Sequence, residues 1–291
     1  MFVSATIFSI IYPLTRVWKI PTVLFVHYFL SSEMRLPMKM YAIVDNLLLK
    51  TIAKRADALI VPSRDTKNTI MNMCNKSPIV IHHGVDTQYF KFNDVARNRV
   101  RKELSVRDNE YLALFVGILH KHKDVITLIN AIPRVIRKNK NIKFLIVGRG
   151  DEYEKMTSRI AELNIEKRVI VKKFVENIND YYSACDMFVM PSLVEEFGLV
   201  YVEALAAGLP VIAANIKIAH EVLGDSAIFF EPRNSEDLAD KIMELSSNRH
   251  LYDQLKEKGL ERVKHFTWER AAEKYYKVYM NALREKKRRW Q

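Results

Sequence analysis

Three observations predict an α/β fold built on a doubly wound parallel sheet. From Tyr111 onward, short runs rich in β-branched and aromatic residues alternate with stretches of helical spacing, the order of βαβ units. Those runs are apolar throughout, as strands covered on both faces are. The chain has 291 residues, 49% hydrophobic and 27% charged, which suffices for one large core or two modest ones.

Taken in order, residues 1–12 are apolar but Pro13 and Arg16 interrupt them. A membrane-spanning helix needs about 20 apolar residues, so this run is too short alone. No basic region precedes it, as a secretory signal would require. Residues 1–17 are predicted as an amphipathic or buried helix, and 22–26 (TVLFV) as a buried strand ending at His27. A helix over roughly 40–54 leads into strands in DALIVPS (57–63) and PIVIHHG (78–84). Residues 93–108 are polar and lack a strand period, so they read as the connection between two domains. Strands then fall in 111–117, 142–148, 168–174, 186–192, 210–214 and 227–231. Helices fall in 123–138, 151–163, 177–184 and 198–207, and nearly everything from 235 to 289 is helical. The predicted division is 1–92, a partial N-terminal domain; 93–265, a second domain; and 266–291, a C-terminal helix with a basic tail.

The composition excludes a disordered chain, a collagen-like repeat and a disulfide scaffold, since Cys74 and Cys185 are the only cysteines. Their number and separation suit a reducing compartment. Lys and Arg total 46 against 34 Asp and Glu, a net charge of +12. An excess of that size points to an anionic partner: nucleic acid, an acidic membrane surface or a phosphorylated substrate. Residues 1–92 hold 11 basic and 5 acidic side chains, a +6 excess in less than a third of the chain. The tail REKKRRWQ (284–291) is a polybasic cluster ending in Trp290, suited to a membrane interface or to a helix end opposing its own dipole. No recognition motif or stacking platform accompanies the charge, so nucleic acid is not expected as a partner.

The most informative stretch is PSLVEEFGLVYVEALAAGLPVIA (191–213). A strand ends at Pro191, a short loop carries Glu195 and Glu196, and a helix opens near Phe197, Gly198 and Leu199. Gly208 and Pro210 close that helix in C-cap order. Open α/β sheets bind ligands outside the carboxyl ends of their strands, where this loop lies. The unpaired N–H groups of a helix start suit phosphate. Glu195 and Glu203 are eight residues apart, the second about two turns into the helix. Carboxylate oxygens match sugar or ribose hydroxyls. A loop Glu can equally serve a helix dipole, and Glu203 a solvated helix face.

This stretch resembles the E-x7-E signature of family 4 (group 1) retaining glycosyltransferases, whose GT-B fold sets two Rossmann-like domains face to face. Further segments resemble the same family in the same order: IHHGVDTQYF (81–90), VGILHKHKDVITLINAI (116–132), FLIVGRGDEYEKM (144–156) and FVENINDYYSACDMFVMPS (174–192). The resemblance implies sugar transfer from a nucleotide-sugar donor to a glycan, lipid or lipid-linked acceptor, with retention of anomeric configuration. It implies catalytic roles for Glu195, Lys123 and His27: Glu195 on the donor sugar, Lys123 on the diphosphate, His27 facing the donor from the N-terminal domain. A strand-end histidine such as His27 also occurs as a capped structural residue. Glu203 would meet the ribose, the backbone amides of Phe197, Gly198 and Leu199 the diphosphate or sugar, and the loops around Gly117, Gly148 and Val175 the base.

The sequence departs from the family pattern at several places. The family's Arg five residues before the lysine is Ile118, the Gly after the lysine is Asp124, and the Asn of the NGVD turn is His83. Nothing before His27 resembles the Gly-rich loop that opens the N-terminal domain. Two whole Rossmann-like domains take roughly 350 residues, so the resemblance implies an N-terminal domain without its first part: a truncated gene product, a mis-called start, or a subunit completed by another chain. Ile118, Asp124 and that missing part favour an alternative, a non-catalytic or degenerate nucleotide-sugar-binding subunit. No Asp-x-Asp and no His/Cys cluster has metal-ligand spacing, so neither a metal nor a cofactor is expected. The expected location is cytoplasmic, including the inner face of the membrane.

Overall fold

The computed structural model of the protein describes residues 20–26 and 47–290. The helix predicted over 1–17 and the strand-end His27 lie outside these residues. The chain forms two compact units, one of residues up to Gly84 joined by Trp268–Gln291, the other Val85–Thr267. The divisions therefore fall at 84/85 and 267/268, against the 92/93 and 265/266 expected, and the C-terminal helix is grouped with the first unit.

In the first unit, strands β1 (Val23–Phe25), β2 (Ala58–Val61) and β3 (Ile79–Val80) form a parallel sheet in that order. Leu24 pairs with Leu59, and Ile60 with Ile79. One face of the sheet is covered by the helical residues 47–55 and helix α1 (Arg64–Cys74), through Leu49, Ile52, Leu59, Ile70 and Cys74. Ser63 is fully buried and caps α1, accepting from the Thr66 N–H at 3.2 Å. On the other face Ile60 and Ile81 pack against Ala271 and Val278 of the long helix 268–290. Asp57 ties this helix down, accepting from Thr22 N–H at 2.9 Å and facing Lys286 Nζ at 3.3 Å. Among the described residues no helix is long and apolar enough to cross a membrane.

In the second unit, six parallel strands stand in the order β6-β5-β4-β7-β8-β9. They are β4 (Tyr111–Val116), β5 (Ile142–Val147), β6 (Val169–Lys172), β7 (Met187–Met190), β8 (Val211–Ala214) and β9 (Ala227–Phe230). Each lies inside one of the predicted apolar runs. β7 and β8 are buried at every residue because helices cover both faces. After α2 (Asp94–Glu103) the crossovers are α3 (Val125–Lys138), α4 (Tyr153–Glu162), α5 (Ile178–Ala184), α6 (Leu199–Ala206) and α7 (Lys217–Leu223), followed by α8 (Ser235–Ser247) and α9 (Arg249–Val263). The chain adds strands in one direction from β4 to β6 and in the other from β7 to β9. Right-handed crossovers then place α3 and α4 on one face, and α5, α6 and α7 on the opposite one. The final helix is α10 (Trp268–Trp290), the long helix of the first unit.

The segment 93–108 departs from its predicted role as an inter-domain connection. It begins with helix α2, which lies inside the second unit and packs against α5. Asn93 caps it, accepting from Ala96 N–H at 3.1 Å. The polar sequence concealed its burial because, beside Ala96 and Val100, the buried face carries Arg101, with the partly buried Arg97 next to it, and both guanidinium groups are hydrogen-bonded. The Asp186 carboxylate receives Arg97 at 2.7 Å, Arg101 at 3.1 Å and the Leu112 N–H at 2.7 Å. Arg101 also donates to the carbonyls of Ala184, Arg107 and Glu110. Arg97 reaches the carbonyls of Ser183, Ala184 and Cys185, the orphan acceptors at the end of α5.

Breaking a buried charge pair from one side leaves the other charge uncompensated, at about 3–5 kcal/mol. Asp186→Ala is therefore expected to lower the unfolding free energy by about that much, read by urea denaturation. Arg99→Ala, which removes the exposed Arg99–Asp180 pair, is expected to cost less than about 1 kcal/mol.

Candidate active site

The strand order reverses between β4 and β7, so the loops that leave these neighbours go to opposite faces and open a crevice at the carboxyl edge. The two loops are stitched together. Leu193 N–H donates to the His122 carbonyl at 2.8 Å. Lys123 Nζ meets Glu195 Oε1 at 2.5 Å, with side chains only 16% and 6% exposed. Two of the sequence's catalytic candidates, 72 residues apart, thus form one ion pair across the reversal.

Local geometry explains the residues around this pair. Lys123 ends a short 3₁₀ turn, Lys121–Lys123, and Asp124 then takes a left-handed conformation, φ 47°, that starts α3. The family's glycine at this place suits that angle, and Asp is one of the few other residues that tolerates it. Its carboxylate accepts from Thr127 Oγ1 at 2.7 Å. Burial pushes the Asp124 carboxyl above its ordinary range, against that hydrogen bond and the nearby Arg233 charge. Burial likewise raises Glu196, with the Glu195 charge adding to it. Burial, with the Lys123 ammonium next, holds His122 below the usual imidazole range. Two basic residues near Ile118 could stand in for the missing arginine: His120 is engaged by Asp151, and Lys121 is exposed. Ile118 itself is exposed.

Gly198 opens α6 with φ 76°, and a Cβ there would stand 2.4 Å from the Tyr201 ring. Phe197 is buried edge-on against Phe266 and belongs to the core. Leu199 is exposed in the first turn. The loops after β4, β5 and β6 meet beside them: Gly117 N–H donates to Val147 at 3.1 Å, and Gly148 N–H to Lys172 at 2.9 Å. A Cβ on Gly148 would lie 2.1 Å from the Gly117 carbonyl oxygen, so glycine is what lets these turns approach. Val175, after β6, is half-buried against the core. Glu203 accepts at Oε2 from the Tyr182 hydroxyl of α5 at 2.8 Å. Burial raises the Glu203 carboxyl, and the Tyr182 bond opposes the shift.

The sequence did not expose two features of this edge. Tyr182 was placed on a helix, but the pairing of its hydroxyl with Glu203 needs the fold. Phe174, Ile118, Val194 and Leu199 are exposed apolar side chains, each on a loop at the carboxyl end of a strand or on the helix start that follows. Apolar residues next to strands read as strand ends, so periodicity conceals them. His27 is outside the described residues. Among the described residues no group of three or more His, Cys, Asp or Glu side chains is placed to hold a metal ion.

Residues 96–262 match the family model described as Glycosyl transferases group 1. The chain belongs to that family. Residues 3–89 match a second model, Glycosyltransferase Family 4. Relatives of this group 1 chain include an uncharacterized glycosyltransferase of Methanocaldococcus jannaschii, 30% identical over 79% of this chain and 61% of that protein. The O-antigen biosynthesis glycosyltransferase WclY of Escherichia coli is 28% identical over 84% of this chain and 67% of that protein. The chain thus spans about three fifths to two thirds of the length of these relatives. The crystal structure of Anabaena HepE in complex with UDP superposes with a TM-score of 0.84 at 20% identity, covering 95% of this chain and 77% of that one. That likeness places the chain in the GT-B fold, with its parallel sheets of three and six strands.

Gly148→Ala forces a methyl against the Gly117 carbonyl and should cost about 1–3 kcal/mol, lowering the melting temperature by several degrees. Gly117→Ala meets the Phe115 ring at 3.5 Å and Met190 Cε at 3.7 Å, both ordinary contacts, and should leave the melting temperature nearly unchanged, as differential scanning fluorimetry would show.

Proposed function

We propose that this chain transfers a sugar from a nucleoside-diphosphate sugar to an acceptor, with retention of anomeric configuration. The ion pair of Lys123 and Glu195, set at the strand-order reversal beside the start of α6, is the observation that carries the proposal. In the unliganded protein the two groups neutralise each other. A donor supplies a better partner for each: the diphosphate for the Lys123 ammonium, and sugar hydroxyls for the Glu195 carboxylate. The N–H groups of Phe197, Gly198 and Leu199, at the positive end of the α6 dipole, add to the field on the diphosphate. As the sugar–phosphate bond breaks, charge grows on the departing diphosphate. A fixed ammonium and fixed dipoles stabilise that charge without reorganising.

Glu203 would hold the ribose, the loops at Gly117, Gly148 and Val175 the base, and His27 would face the donor from the first unit. The donor machinery other than His27 then lies within Val85–Thr267. The acceptor, a glycan or lipid, would be chosen by the first unit, whose excess of positive charge suits an anionic membrane on the cytoplasmic side. Among the described residues β1 pairs only with β2, and its other edge is where a completing subunit would add.

The structures of Anabaena HepE include one with UDP-glucose, so UDP-glucose is the first probe. With labelled UDP-glucose and a membrane extract as acceptor source, Glu195→Gln and Lys123→Gln are each expected to lower transfer by about 100-fold or more. Lys123→Gln should weaken binding of UDP much more than of uridine, as calorimetry would read. Binding without transfer to any acceptor would select the non-catalytic binding subunit instead. If no nucleotide or nucleotide-sugar binds, the assignment of the site is wrong. Ile118→Arg restores the family's second cation, and should tighten UDP binding by about 10-fold, the worth of one charge-assisted hydrogen bond.

A further inference from the structure

Tyr182 is fully buried, and its ring is held on two sides. Phe90 meets it edge-on with ring centroids 5.5 Å apart, and Phe188 lies 5.9 Å away on β7. Its backbone is held as well: the carbonyls just after it, at Ser183, Ala184 and Cys185, are gathered by Arg97, and Ser183 Oγ accepts from the Asn93 N–H at 3.2 Å. The phenol therefore has one place to point. From there its hydroxyl donates 2.8 Å to Oε2 of Glu203 on α6. A buried aromatic hydroxyl without a partner costs free energy, so this bond and the position of the carboxylate are maintained together.

From this geometry we infer that Tyr182 is the positioning residue of the donor site, fixing Oε2 of Glu203 so that Oε1 is presented to a ribose hydroxyl. The inference rests on the nucleotide-sugar reading above and adds a residue that touches no substrate. A carboxylate on a flexible side chain gains little from one ligand hydroxyl when it must first be ordered. One that is already pinned at its second oxygen loses less entropy on binding. Tyr182 thus converts a half-buried glutamate into a discriminator of ribose from its deoxy forms. It also gives α2 a part in recognition, because Asn93 and Arg97 hold the backbone that carries the tyrosine.

The test measures binding of UDP, GDP and ADP by calorimetry, then of the 2′,3′-dideoxy form of whichever binds tightest. The intact protein is expected to prefer the ribose form by about 10-fold or more, the worth of a hydrogen bond to a charged group. Tyr182→Phe, which keeps the ring, should bring that ratio below about 3 while leaving the dideoxy affinity unchanged. Tyr182→Met is the second variant without a hydroxyl, in case the phenylalanine form does not fold. Phe188→Leu loosens the packing but keeps the hydroxyl. It should lower the melting temperature but shrink the ratio far less than Tyr182→Phe does, whereas a purely structural role for Tyr182 predicts that the ratio follows the melting temperature in both variants. A Tyr182→Phe protein that still prefers ribose by the full wild-type ratio overturns the inference. A wild-type protein that binds none of the three nucleotides overturns the functional reading instead.

Discussion

The chain lays β4, β5 and β6 outward in one direction and then returns to place β7 against the other side of β4. Much else follows from that reversal. Because the crossovers are right-handed, the helices after β4 and β7 leave on opposite faces. Lys123 and Glu195 are the side chains that the two loops bring together across the reversal. The two are largely buried and each is the other's counter-ion. On the proposed function, a diphosphate and sugar hydroxyls would replace this pairing when a donor binds.

The join between β4 and β7 is also where the fold is anchored most firmly. Asp186, at the foot of β7, takes hydrogen bonds from the start of β4 and from two arginines of α2. Removing such a carboxylate costs more than removing most apolar side chains, because it strands a guanidinium in the interior. The same arginines close the end of α5 just after Tyr182. One polar cluster at the amino edge and one ion pair at the carboxyl edge thus bracket a single pair of strands.

Every strand of the six-stranded sheet could be located in the sequence, since buried parallel strands are continuous apolar runs and need no partner to be seen. The loop carrying Glu195 and the helix opening at Gly198 were legible for a related reason: Pro191, Gly198, Gly208 and Pro210 are local punctuation. What lay hidden was polar and long-range. The helix 94–103 reads as a linker because only Ala96 and Val100 on its buried face are apolar, while Arg101 and the neighbouring Arg97 are held by Asp186 more than 80 residues away. The contact of Tyr182 with Glu203 depends on two helices packing on one face, which neither sequence segment encodes alone. The exposed apolar side chain of Phe174 was absorbed into the predicted strand 168–174 by its hydropathy. The division of the chain also shifted, because α10 is amphipathic over its whole length and its buried stripe fits the first unit's sheet.

The most direct measurement is a crystal structure of the protein with bound UDP-glucose. The account predicts that the Lys123 ammonium leaves Glu195 for a diphosphate oxygen, that Glu195 turns to the sugar hydroxyls, and that the diphosphate lies at the first turn of α6. A nucleotide-sugar bound elsewhere, with the contact between Lys123 and Glu195 intact, would contradict it.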